Sequence, residues 1–139
     1  MIGRAYAAGV FGIDGFVTRV EAAIGPGLPS LTIVGQGADG PLLRSALRVR
    51  IALDRCGFQL PALKQLVNLA PAERRKDGSG MDLAIACALL VCHGVIPAAS
   101  LADVMLWGEL GPDGRLLPAV GTLIAAETAR RHGFRGLVL

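Results

Sequence analysis

The sequence predicts an α/β (α+β) chain in which a mixed sheet is built with three helices, in the order βββαβαββαβ. Three observations predict it. Of 139 residues, 53% are hydrophobic and only 18% charged, which suits one packed core and excludes disorder. Nineteen glycines and eight prolines break the chain into short elements. The spacing of apolar residues alternates along the chain between the period of strands and that of helices.

Residues 2–11 and 16–24 read as two strands joined by Gly12-Ile13-Asp14-Gly15. In the second, Phe16, Thr18, Val20 and Ala22 share one parity while Arg19 and Glu21 take the other, the pattern of a half-exposed antiparallel hairpin. Gly25-Pro26-Gly27-Leu28-Pro29 is a turn-rich break before a short strand at 31–34. Asp39 is placed to cap a helix over about 40–56, where Leu42, Ala46, Val49 and Leu53 make one apolar stripe and Gly57 ends the run. Residues 66–69 read as a strand. The loop 71–79 then opens a helix with almost no polar face, which runs to His93 and closes at Gly94. Residues 104–110 read as one strand, Gly111-Pro112-Asp113-Gly114 as a turn and 115–118 as its return. In a last helix over about 122–132, Arg130, Arg131 and His132 complement the C-terminal dipole before Gly133. A final strand occupies 136–139. Because the chain stops inside that strand, 1–139 is expected to be a single domain of a longer polypeptide.

The formal charge of +3 is mild, and its distribution matters more than its total. Aromatics are only 4%, too few for a platform that stacks single-stranded nucleic acid. Cys56, Cys87 and Cys92 form no CxxC pair and read as buried, reduced thiols. No signal peptide opens the chain and no apolar run is long enough to span a bilayer, so the expected location is cytoplasmic, with no membrane partner.

No G-x-x-x-x-G-K-[ST] phosphate loop is present. Gly35-Gln36-Gly37-Ala38-Asp39-Gly40 matches G-x-G-x-x-G, but Pro41 follows at once and a turn into a capped helix explains the same residues. Arg44, Arg48 and Arg55 cluster on one helix face, opposite the apolar stripe. They form either a solvated face or a surface that docks a neighbouring domain, a subunit or nucleic-acid phosphates. Arg74, Arg75 and Lys76 make a second basic cluster before a helix N-terminus, where Asp77 and Asp82 can satisfy the unpaired N–H groups. His93 and His132 have no ligating neighbour at metal spacing, and no metal, cofactor or catalytic residue is assigned.

Gly27-Leu28-Pro29, Ile33-Val34-Gly35, Val67-Asn68-Leu69-Ala70-Pro71-Ala72, Arg75-Lys76-Asp77-Gly78-Ser79-Gly80, Asp82-Leu83 and Gly108-Glu109-Leu110 follow one another in an order that resembles the N-terminal domain of the YifB/ComM family, magnesium-chelatase-like AAA+ ATPases. The resemblance covers essentially the whole chain. It departs at Gln36-Gly37-Ala38-Asp39-Gly40, where relatives carry Leu-Pro-Asp and a small residue. The resemblance implies a fold similar to the Lon protease domain, shared with a small-subunit ribosomal protein. It also implies an accessory role beside an ATPase module that would bring ATP and Mg, assembly into a hexameric ring, and action on branched DNA during competence.

Lon-type proteases use a serine activated by a neutral lysine. Against their K-D-G-P-S-A-G pattern, Lys76, Asp77 and Gly78 match, Ser79 falls on the proline and Gly80 on the serine. The partner lysine belongs after a Gly-Gly-Leu-like turn, where Val120-Gly121-Thr122-Leu123 puts Leu123 in its place. The expected function is therefore a non-catalytic interaction domain that touches its own ATPase module, neighbouring subunits and, weakly, DNA. Arg44, Arg48, Arg55, Arg74, Arg75 and Lys76 are its candidate surface. The alternative is a degenerate Ser-Lys peptidase using Ser79 and Lys76, with Lys76 on an exposed loop that gives its pKa little reason to fall.

Overall fold

The computed structural model describes residues 2–35, 39–76 and 79–139, the side chains of 39–41 excepted. The proposed caps by Asp39 and Asp77 and the core of the Gln36–Gly40 loop lie outside the described residues. β1 (Ile2–Phe11) and β2 (Asp14–Gly25) form the expected hairpin, antiparallel from Phe11 opposite Asp14 to Ile2 opposite Ala23. β3 (Ser30–Val34) leads to α1 (Asp39–Arg55), β4 (Lys64–Ala70) and α2 (Asp82–Cys92). A short 3-10 helix (Ala98–Leu101) precedes β5 (Val104–Leu106), β6 (Glu109–Leu110) and β7 (Leu116–Leu117). α3 (Thr122–Arg131) and β8 (Gly136–Val138) complete the chain.

The main sheet has six strands in the order β3-β4-β2-β1-β5-β8, with β6 and β7 as a separate pair. β2 runs antiparallel to both β1 and β4, whereas β3–β4, β1–β5 and β5–β8 are parallel. The sheet is therefore mixed. The parity read in β2 is the burial pattern observed, with Phe16, Thr18, Val20 and Ala22 buried and Arg19 exposed.

α2 owes its missing polar face to its position. Asp82, Ala84 to Ala86 and Ala88 to Cys92 are all buried. The helix lies against β1, whose small residues allow close approach. A Cβ added to Gly3 would overlap the Ala88 carbonyl and the Cys92 amide.

The expected strand over 104–110 is two strands instead. Trp107 gives its N–H to the Val138 carbonyl (2.9 Å), which prolongs the β8 edge, but Gly108 then turns to the start of α2. Its N–H donates to the Gly80 carbonyl (2.8 Å) and its carbonyl accepts the Leu83 N–H (3.2 Å). A Cβ at Gly108 would strike Leu116, so glycine lets the chain swing from β5 into the β6–β7 pair.

Replacing Gly3 by alanine should force β1 and α2 apart. We expect a loss of about 1–3 kcal/mol of stability, measured as a lower denaturant midpoint at unchanged slope.

Candidate functional site

The loop after β4 folds back on the β1–β2 hairpin. The Arg74 guanidinium lies 4.0 Å from the centre of the Phe16 ring and that of Arg75 lies 5.6 Å from the Phe11 ring, within range of cation–π attraction. Lys76 donates from Nζ to the carbonyls of Pro71 (2.7 Å) and Arg74 (2.6 Å). It is half-buried rather than exposed, which corrects the expectation for its pKa. Burial pushes the ammonium below its ordinary value and Arg74 adds to this, while Glu73 opposes it. The two carbonyls nonetheless anchor the charged amine to its own turn.

Asp82 is the most consequential side chain at the start of α2, and it does not cap the helix. The N-cap position is Met81, with no side-chain cap hydrogen bond. The exposed donors are met by main chain instead, Asp82 N–H by the Ser79 carbonyl (3.2 Å) and Leu83 N–H by Gly108. This frees the Asp82 carboxylate, which is fully buried, to take Arg48 in a two-pronged pair: Nε to Oδ2 at 2.6 Å and Nη2 to Oδ1 at 3.1 Å. Oδ2 also accepts the Leu110 N–H at 3.2 Å, and Ser45 Oγ accepts from Arg48 Nη2 at 3.0 Å. The hydrogen bond to Asp82 raises the Arg48 pKa; burial opposes it, and the charges of Asp82 and Glu109 assist. One carboxylate thus ties α1, α2 and β6 together.

Arg48 is consequently turned into the structure, not away from the apolar stripe. Arg44 and Arg55 remain exposed on α1. The six basic candidates therefore divide between α1 and the hairpin side of the sheet, with Arg48 committed internally.

At the turn where Lon-type alignment puts a nucleophile, a Cβ on Gly80 would overlap the six-membered ring of Trp107. Trp107 is 1% exposed and its Nε1 has no hydrogen-bond partner among the described residues. The indole also approaches Gly121, the left-handed residue (φ 91°) that starts α3. It therefore fills the space between the starts of α2 and α3. Leu123 on that helix is 83% exposed and carries no group that could accept a proton. Trp107 was not singled out from sequence, although a lone tryptophan in an aromatic-poor chain is a signal of a specific packing role.

The histidines have local partners: His93 Nε2 meets Gln65 Oε1 at 2.7 Å and His132 Nδ1 meets the Thr128 carbonyl at 3.0 Å. Among the described residues no group of three side chains converges as a metal site. Of the cysteines only Cys92 is fully buried; Cys87 is half-buried and Cys56, on the last residues after α1, is exposed.

A family model described as subunit ChlI of Mg-chelatase matches residues 20–139. The chain belongs to this family. It is 38% identical over 138 residues to an uncharacterized protein of Mycobacterium tuberculosis, covering 99% of this chain and 27% of that one. It is 36% identical over 127 residues to the uncharacterized protein YifB of Escherichia coli (91% and 25%). With competence protein ComM of Haemophilus influenzae it shares 30% identity over 130 residues (91% and 25%). The chain spans about a quarter of the length of the curated relatives it matches.

Removing the Arg48 side chain's charge leaves a buried carboxylate alone. Arg48→Met should cost about 3–5 kcal/mol, whereas adding Asp82→Leu to that variant should restore part of the loss; equilibrium unfolding of the three variants checks both. Burial pushes the Cys87 thiol up to about 11, so only about one thiol in a thousand is ionised there at pH 8. Brief iodoacetamide treatment of the native chain should therefore modify Cys56 first, as read by peptide mass spectrometry.

Proposed function

We propose that this chain serves as a non-catalytic interaction and assembly domain of a magnesium-chelatase-like AAA+ ATPase. The single observation that carries the reading is the Trp107 indole packed against Gly80, where a side chain would be needed for a Ser-Lys peptidase. The exposed aliphatic Leu123 in the place of the general base supports the same conclusion. ATP and Mg belong to the remainder of the protein, which the much longer relatives suggest. The partners are the chain's own ATPase module and neighbouring subunits in a ring. Among the described residues no helix is long and apolar enough to cross a membrane, which is compatible with work in the cytoplasm. The name of the Haemophilus influenzae relative suggests a role in competence, and the surface cations Arg44, Arg55, Arg74 and Arg75 suggest weak contact with DNA phosphates.

Deleting this domain from the full-length protein should alter ring assembly, measured by sedimentation, or engagement of branched DNA; unchanged behaviour in both would remove the reading. Fluorophosphonate labelling lost on Ser79→Ala and on Lys76→Ala would establish the peptidase instead. Gly80→Ser combined with Leu123→Lys should gain no labelling, since Trp107 still occupies the space. If DNA touches α1, Arg44→Ala/Arg55→Ala should flatten the log–log salt dependence of duplex binding by about 1.8, at about 0.9 released counterions per phosphate.

A further inference from the structure

α1 carries more apolar surface than the core uses. Ala46, Val49, Ala52 and Leu53 pack inward. On the outer side Leu43, Leu47 and Ile51 follow at intervals of four, at 71%, 59% and 40% exposure. One stripe suffices to fold an amphipathic helix, so the second is available for another surface.

Leu47 and Ile51 form one wall of an open groove of about 750 Å³ between α1 and the first residues of β3 and β4. Leu31, Leu60 and Leu63 supply further apolar lining. Arg50 and Arg55 stand in the same groove, and neither has an ion pair with another described residue. Asp54, also in the lining, offsets only one of these two charges.

The neighbouring strand is the edge of the sheet. β3 pairs with β4 on one side, and among the described residues no strand pairs its other side. Ser30 spends its N–H on the Leu63 carbonyl (3.2 Å). Alternation along a parallel strand then turns the main-chain groups of Leu31 and Ile33 outward. An unpaired edge beside an apolar groove is the arrangement that adds a strand from another chain, with main-chain bonds for affinity and pockets for side-chain choice.

We infer that this groove receives an extended segment of a partner protein, bearing aliphatic side chains and a carboxylate, which adds to β3 as a further strand. The carboxylate follows from the guanidinium groups of Arg50 and Arg55, which form no ion pair with a described residue and suit a planar anion. The aliphatic side chains follow from Leu31, Leu47, Ile51 and Leu63. A nucleic-acid strand fits less well, because the lining is largely aliphatic and offers two cations. The inference deepens the assembly role proposed above by naming the chemistry of the partner.

The test is an amide-resolved NMR titration of the chain with two pools of synthetic heptapeptides. Both alternate Val, Ile or Leu with Ser or Thr; one contains a single Glu and the other a Gln at the same position. The Glu pool should shift the amides of 30–34, 47–58 and 63–65 and bind about tenfold more tightly than the Gln pool, the worth of a charge-assisted pair. Arg50→Ala/Arg55→Ala should equalise the pools, and Leu47→Glu should abolish binding. All three positions are exposed, so a retained dispersed spectrum verifies folding. No shifts at millimolar peptide, equal binding of the two pools, or shifts in these amides by a DNA duplex and not by peptide would each overturn the inference. Such a failure, with a clear effect of deleting the whole domain, removes the groove and leaves the assembly role. Peptide binding without a deletion effect removes the assembly role and leaves the groove.

Discussion

The burial of nearly all of α2 is the constraint on which the rest of the structure depends. A helix with no polar face must be covered on every side, and each neighbouring element supplies part of the cover. β1 supplies a small-residue surface, set by Gly3, Ala5 and Ala7, that lets the helix axis approach the sheet. α1 packs against another side, with Ala46, Val49 and Leu53 in the shared core. The helix start, which cannot be solvated, is closed by the main chain of Gly108. The break between β5 and β6 is therefore a consequence of burying α2, as is the glycine that permits it.

The Asp82–Arg48 pair follows from the same constraint. A carboxylate in the first turn of a buried helix loses its water and needs partners to remain acceptable there. It finds a guanidinium from α1 and an amide from β6. A partner removed from such a pair leaves an uncompensated charge, so the pair holds α1 in register with α2 even if its net contribution to stability is small. That register also presents the outer stripe of α1, with Arg44, Arg50 and Arg55, to solvent. The core arrangement and the candidate docking surface are two faces of one helix.

Much of the fold was legible because it rests on local patterns. The parity of Phe16 to Ala22, the stripe on α1 and the left-handed glycines after each helix, Gly57, Gly94 and Gly133, all lie where their spacing indicates. What was not legible depends on contacts between distant residues. Arg48 has the same helical spacing as its exposed neighbours, and only Asp82, 34 positions away, distinguishes it. Asp82 stands where a capping residue would stand, yet the Gly108 carbonyl had already taken one of the donors it might serve. The run from Val104 to Leu110 has a strand's composition throughout, and its interruption is dictated by the helix it must close. Lys76 reads as a loop cation, whereas carbonyls from its own turn draw it inward. That Gly80 and Leu123 depart from a Ser-Lys pattern could be read from the sequence, but not that an indole packs against Gly80.

The sole tryptophan makes the central claim directly measurable. If Trp107 fills the space beside Gly80 and Gly121, its native emission is blue-shifted. It then resists quenching by acrylamide and iodide, and becomes accessible only in the global unfolding transition followed by circular dichroism. Red-shifted, readily quenched emission from the folded chain, or exposure of the indole well before unfolding, would mean that the space is open and would contradict the packing of Trp107 on which the proposed non-catalytic role rests.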